Sequence, residues 1–225
     1  MNRNPENFIF ENDHSLRTRL AIFSSIIAAT LLWVMFSNAF ITGFLQNFLR
    51  LDNPGPNLLL RHIFIFGMPD FLFCLACLHI LARYKLFKKI SFKVTKDAFI
   101  HGLIAGMALA GFAVAQWLLY GLKFQFVVNY WSITGNLFSN FYEEIIFRAF
   151  MIPLFNYLFR NIQPAVFFSS LIFALVHARY PLFLQLTVFV GGFCFAISYV
   201  RTKTVFAPWL GHQLADTIAD AILKL

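Results

Sequence analysis

The chain has 225 residues, a net charge of +8 and a mean hydropathy of +0.70; 60% of its residues are hydrophobic and 12% are charged. Soluble domains carry about 25% charged residues, so this balance excludes an ordinary soluble domain and predicts an integral membrane protein with room for about six to eight helical spans. The positive excess reads as a topology signal rather than affinity for nucleic acid. No basic stripe interleaved with stacking aromatics lies outside the apolar runs.

Apolar runs predict spans at roughly 20–48, 59–82, 98–121, 133–158, 164–178, 182–200 and 205–223. About sixteen mixed residues with no evident cleavage site precede the first, so an uncleaved N-terminus is expected. LDNPGPN (51–57) is a turn cluster. Within the second span Pro69 is expected to kink the helix, with Asp70 beside it. Cys74 and Cys77 form a C-x-x-C inside FLFCLACLHI, an apolar setting that disfavours thiolates, so they are expected to be packed helix residues, as is Cys194. RYKLFKKISFKVTK (83–96) is a basic loop or interfacial helix. RNIQP (160–164), ARYP (178–181) and RTKT (201–204) separate the later spans.

Lysine and arginine in the flanks set the expected orientation. With the 83–96 loop inside, the inner segments hold Arg3, Arg17, Arg19, Arg83, Lys85, Lys88, Lys89, Lys93, Lys96, Arg160, Arg201 and Lys203. The outer ones hold only Arg50, Arg61, Lys123, Arg179 and Lys224. The N-terminus is therefore expected inside and, with seven spans, the C-terminus outside.

Ionisable side chains within spans cost about 2.5–3.5 kcal/mol each, so they are expected to face the bundle interior, to pair, and to mark function. In NFYEEIIFRAF (140–150), Glu144 and Arg148 are i,i+4 neighbours in the favourable order. Glu143 points elsewhere and shares a polar stripe with Asn136 and Asn140. A structural ion pair needs one acid, so the second has the look of a catalytic base. FALVHARYP supplies His177. PWLGHQLADTIAD supplies His212 and Asp216, again i,i+4, with Asp220 continuing the stripe. Three segments whose polar groups lipid rejects are satisfied together around one wet cavity. Glu143, His177, His212 and Asp216 around a water would make a hydrolytic site.

Glu143-Glu144-x-x-x-Arg148, Phe173-x-x-x-His177 and His212-x-x-x-Asp216, in that order and each in an apolar span, resemble the three motifs of the CPBP (Abi) family, which includes the type II CAAX prenyl endopeptidases. The resemblance covers about residues 95–225. It implies a glutamic intramembrane protease with no required metal. Glu143 would be the general base, His177 would help hold the attacking water, and Glu144 and Arg148 would brace the helix. His212 and Asp216 would polarise the scissile carbonyl. An ionised Asp cannot donate to an oxyanion as Asn can. Asp216 is therefore expected either to be protonated by burial or to orient and charge His212, and the second is favoured.

The expected protein is thus an all-α membrane bundle of seven or eight spans with an intramembrane polar cavity. Residues 1–94 add membrane spans and the basic loop, and 95–225 form the catalytic bundle. Its partners would be membrane lipid and a peptide or protein substrate, lipidated or bearing a membrane-embedded tail, cut near its C-terminus. Bacterial sorting tails, leader peptides and bacteriocin-related peptides fit as well as prenylated ones, and a bacterial cytoplasmic membrane is the expected location. Two rivals remain open. The same four residues could bind zinc with water as the nucleophile. Intramembrane charges also mark transporters or partner-binding proteins, although no matching pair of interrupted spans is present.

Overall fold

A computed structural model describes residues 15–36, 68–83, 90–121, 123, 126–177 and 180–222. The described residues form helices joined by short connections, with no strand among them: α1 (Leu16–Phe36), α2 (Met68–Arg83), α3 (Lys96–Leu119), α4 (Tyr130–Glu144), a π-helical segment (Ile145–Met151), α5 (Ile152–Phe159), α6 (Ile162–Val176), α7 (Leu182–Thr202) and α8 (Phe206–Ile222). Of these, α3 and α7 are long and apolar enough to cross a membrane, and α6 is apolar but shorter. The turn cluster at 51–57 and most of the basic loop lie outside the described residues.

Side-chain caps set the starts. Thr95 Oγ accepts from Ala98 N–H at 3.1 Å to open α3, Asn129 Oδ1 accepts from Ser132 N–H at 3.1 Å to open α4, and Asn161 Oδ1 accepts from Gln163 N–H at 3.0 Å to open α6. Residues 90–95 ahead of α3 form no helix. They are tied to the α7–α8 turn by Val205 N–H on Ser91 O (2.9 Å) and by Thr204 Oγ against the carbonyls of Ser91 and Lys93 (3.1 Å each). Pro69 is the second described residue of α2, and the segment ahead of it, on which the expected kink depends, lies outside the described residues.

The expected fourth span, 133–158, is one winding run from Tyr130 to Phe159, but its hydrogen bonding changes twice. Pro153 has no N–H to offer the carbonyl four residues back, and a helix deprived of that bond bends or slips to the wider i→i+5 pattern. The π segment and α5 then form the strut of the core. Phe150, Met151, Ile152, Leu154 and Phe155 are almost fully buried among Ile22 and Ile26 of α1, Phe73, Cys74 and Cys77 of α2, Val166 of α6 and Tyr199 of α7. Cys74 and Cys77 are buried and in no disulfide, as packed helix residues would be.

On the other side α3 and α8 touch backbone to backbone. A Cβ built on Gly106 would lie 2.6 Å from Gly211 O, and one on Gly102 would lie 2.7 Å from Ala207 O. The sequence signal is Gly102-x-x-x-Gly106, a close-approach motif of membrane helices. It seats α8, and with it His212, against α3.

Candidate active site

Glu144 and Arg148 are completely buried, with Arg148 Nε 2.9 Å from Glu144 Oε2. This is an ion-pair contact rather than an aligned hydrogen bond, and Arg148 Nη2 has no hydrogen-bond partner among the described residues. Arg148 Nη1 donates to Ser169 Oγ at 3.4 Å, and Ser169 Oγ spends its own proton on Phe147 O at 2.6 Å. Aromatic faces supply much of the rest of the environment: the guanidinium carbon lies 4.8 Å from the Phe173 ring centre, 5.9 Å from Phe147 and 6.0 Å from Phe195.

The second oxygen of Glu144 reaches across to α8. Its Oε1 is 2.8 Å from His212 Nδ1. A carboxylate already paired with Arg148 can only accept, so Nδ1–H is the donor and Nε2 is turned away from the pair. The ring is held flat by Phe195 (4.8 Å, 26°) and edge-on by Phe173 (5.7 Å, 82°). Nε2 then lies 3.7 Å from Asp216 Oδ2 and 4.0 Å from Glu143 Oε2.

Asp216, expected to orient and charge His212, stands within ion-pair range of its Nε2. Its 3.7 Å approach is too long for a hydrogen bond, and the orienting bond comes from Glu144. Asp216 Oδ2 accepts instead from Asn140 Nδ2 at 2.9 Å. Asn140 also donates to Gln213 Oε1 at 3.2 Å, and Gln213 Nε2 donates to Ile133 O at 2.9 Å. Because a backbone carbonyl can only accept, this chain has one direction and ends with Asp216 as an acceptor. Gln213 was missed from the sequence: it follows His212 directly and reads as an adjacent, differently facing residue.

His177 is the C-cap of α6, at the helix end rather than inside it. Its Nδ1 is 2.8 Å from Phe173 O, so Nδ1–H again donates and Nε2 is the basic nitrogen. The ring stacks on Tyr180 (5.8 Å) and meets the edge of Phe173 (5.0 Å). Phe173, 2% exposed, thus contacts both imidazoles and the guanidinium.

Glu143, Asn136, Asn140, His177, His212 and Asp216 line one cavity of about 330 Å³ between α3, α4, α6, α7 and α8, together with Phe173 and Ser139. Glu143 is 20% exposed there, and no hydrogen bond reaches its carboxylate among the described residues. A second polar contact missed from the sequence braces the far wall. Gln116 Nε2 of α3 donates to Phe183 O at 2.7 Å, and Thr187 Oγ of α7 donates to Gln116 Oε1. The side chain of Asp220 lies outside what is described. No group of three or more His, Cys, Asp or Glu side chains is arranged to hold a metal ion among the described residues.

No curated protein and no solved structure matches this chain. Residues 123–218, somewhat under half of the 225, match the family model described as Type II CAAX prenyl endopeptidase Rce1-like. The matched segment runs from ahead of α4 through most of α8 and so contains every wall of the cavity except α3. Over that segment the chain is similar to the CAAX-type proteases, a family of peptidases.

Proposed function

We propose that the protein is an intramembrane endopeptidase that hydrolyses a peptide bond with a water activated by Glu143 and with no required metal. The observation that carries this reading is the contrast between adjacent acids. Glu144 is fully committed to Arg148 and His212, whereas Glu143 faces the cavity with no hydrogen-bond partner among the described residues. A carboxylate kept that way can take a proton from a water lying between it and His177.

The water oxygen adds to the scissile carbonyl carbon as its proton passes to Glu143. The developing oxyanion is met by His212, which presents Nε2–H as an imidazolium while Nδ1–H stays on Glu144. Collapse breaks the C–N bond, and the proton held by Glu143 goes to the departing amine. Asp216, as an acceptor of Asn140, is the countercharge near that imidazolium rather than an oxyanion donor. The substrate is a peptide tail at or in the membrane, with its prenylation left to the assay.

Protein reconstituted in vesicles is incubated with matched prenylated and unprenylated C-terminal tail peptides, and the products are identified by mass. Cleavage is expected from the wild type, undiminished after exhaustive chelation and absent in Glu143→Ala. Cleavage lost on chelation and restored by zinc would replace this reading with metal-bound water as the nucleophile. Undiminished cleavage by Glu143→Ala would remove Glu143 as the base.

A further inference from the structure

The cavity is confined to one half of the bundle. Its lining runs along α4 from Ser132 to Glu143, takes the last turn of α6 with His177, runs along α7 from Thr187 to Phe195, and runs along α8 from His212 to Ala219. Successive helices alternate in direction through short connections. The cavity therefore points toward the end at which α3 and α6 finish and α4 and α7 begin.

The other half is closed. Below the level of Glu144 and His212 the bundle is filled by Phe150, Ile152, Leu154, Phe155, Val205 and Ala207, none more than 1% exposed. The α7–α8 turn is strapped to residues 91–93 by the Thr204 and Val205 bonds. No polar lining of the cavity comes from that end.

Charge distinguishes the two ends independently. The closed end carries Lys93, Lys96, Arg160, Arg201 and Lys203, and the open end carries Lys123 among the described residues. Arg19 joins the closed end, its guanidinium 5.9 Å from the Tyr157 ring. By the excess of lysine and arginine on cytoplasmic segments, the closed end is cytoplasmic. The open end shows exposed Tyr120, Phe126, Tyr130, Trp131 and Tyr180, the residue types that settle at headgroup level.

We infer that the cavity opens to the extracytoplasmic face of the membrane. Taking the peptidase reading as given, its substrates are then peptide segments presented on that side, such as the tails or leaders of exported chains, rather than tails displayed in the cytoplasm. A cytoplasmic tail would have to pass the apolar plug and the strap before meeting Glu143.

Single cysteines test this in the full chain after Cys74→Ala, Cys77→Ala and Cys194→Ala. Lys123→Cys and Ser132→Cys report the open end and the cavity mouth, and Lys203→Cys reports the closed end. Each variant is treated with a membrane-impermeant maleimide in sealed right-side-out and in inverted membrane vesicles. Labelling of Lys123→Cys and Ser132→Cys is expected only in right-side-out vesicles, and of Lys203→Cys only in inverted ones; in the opposite vesicle each falls to the level of the cysteine-free parent. The reverse pattern overturns the inference, as does failure of Ser132→Cys to label from the side that labels Lys123→Cys. The readout needs no hydrolysis, so it can fail while the peptidase reading stands, and the converse holds for the cleavage assay.

Discussion

Two neighbouring glutamates with the same chemistry have opposite dependences on their surroundings. Glu144 lies between Arg148 and His212 at 2.9 and 2.8 Å. Replacing it with Gln leaves a buried guanidinium without its counterion, and breaking such a pair costs about 3–5 kcal/mol. Glu144→Gln should therefore unfold at a clearly lower temperature in detergent and lose cleavage as well. Glu143→Gln breaks no ion pair closer than 4.0 Å. Its thermal unfolding should stay within about 0.5 kcal/mol of the wild type, while cleavage falls by about 10²–10⁴-fold, the usual worth of a general base. Equal loss of stability in both would make the pair a structural network. Asp216 is tested the same way. As a countercharge beside His212 Nε2, it should lose activity in both Asp216→Asn and Asp216→Ala. A donor role predicts instead that Asp216→Asn keeps or raises activity and only Asp216→Ala abolishes it. The motif spacing already separated Glu143 from the Glu144–Arg148 pair, because 100° per residue is enough to do so. It could not separate Asp216 from Glu144 as the partner of His212. That choice depends on how deeply α8 sits against α4, which no i,i+4 rule contains.

Among the elements, the α3–α8 contact sets that depth. Gly211 immediately precedes His212, and a Cβ on it would lie 2.8 Å from Gly102 O. The contact carries no polar group of the site, yet it fixes where the imidazole stands relative to Glu144. Gly106→Val must push the helices apart, because the backbone oxygen it meets at 2.6 Å has no rotamer to escape into. The expected cost is about 1–3 kcal/mol of stability. Activity should fall disproportionately, by about 10²-fold for a displacement near 1 Å. Gly111→Ala is the control on the same helix: nothing lies within 4 Å of its added Cβ, so it should be neutral or gain about 0.5–1 kcal/mol in helix stability. Both are read by thermal unfolding and turnover in the same detergent. The positions of the described helices were legible from hydropathy, but the π turn after Glu144 was not. Apolar periodicity looks alike on either side of it, and Pro153 signals a disturbance without stating whether the helix will kink, stop or widen.

For the whole molecule, the question is what the first two described helices contribute, since none of their described residues lines the cavity and the family match begins only at residue 123. The sequence invites a division into 1–94 and 95–225. The packing joins the two parts through one apolar cluster: Ile22, Ile26, Phe73, Cys74 and Cys77 belong to the same core as Phe150 and Phe155. Phe23 meets Phe155 edge-on at 5.6 Å, and Phe71 meets Tyr142 at 5.7 Å, one residue before the proposed base. In lipid such contacts gain little from excluding water, because acyl chains are as apolar as leucine; what is lost with them is shape-matched packing around the strut that carries Glu144 and Arg148. A chain of residues 95–225 alone should therefore insert yet unfold at a lower temperature, with little or no cleavage. Co-expression with residues 1–94 as a separate chain should restore both properties, since helices inserted independently can associate afterwards, and the two pieces should copurify. Full activity and unchanged thermal stability of residues 95–225 alone would instead make the first two helices a membrane anchor with no part in holding the site.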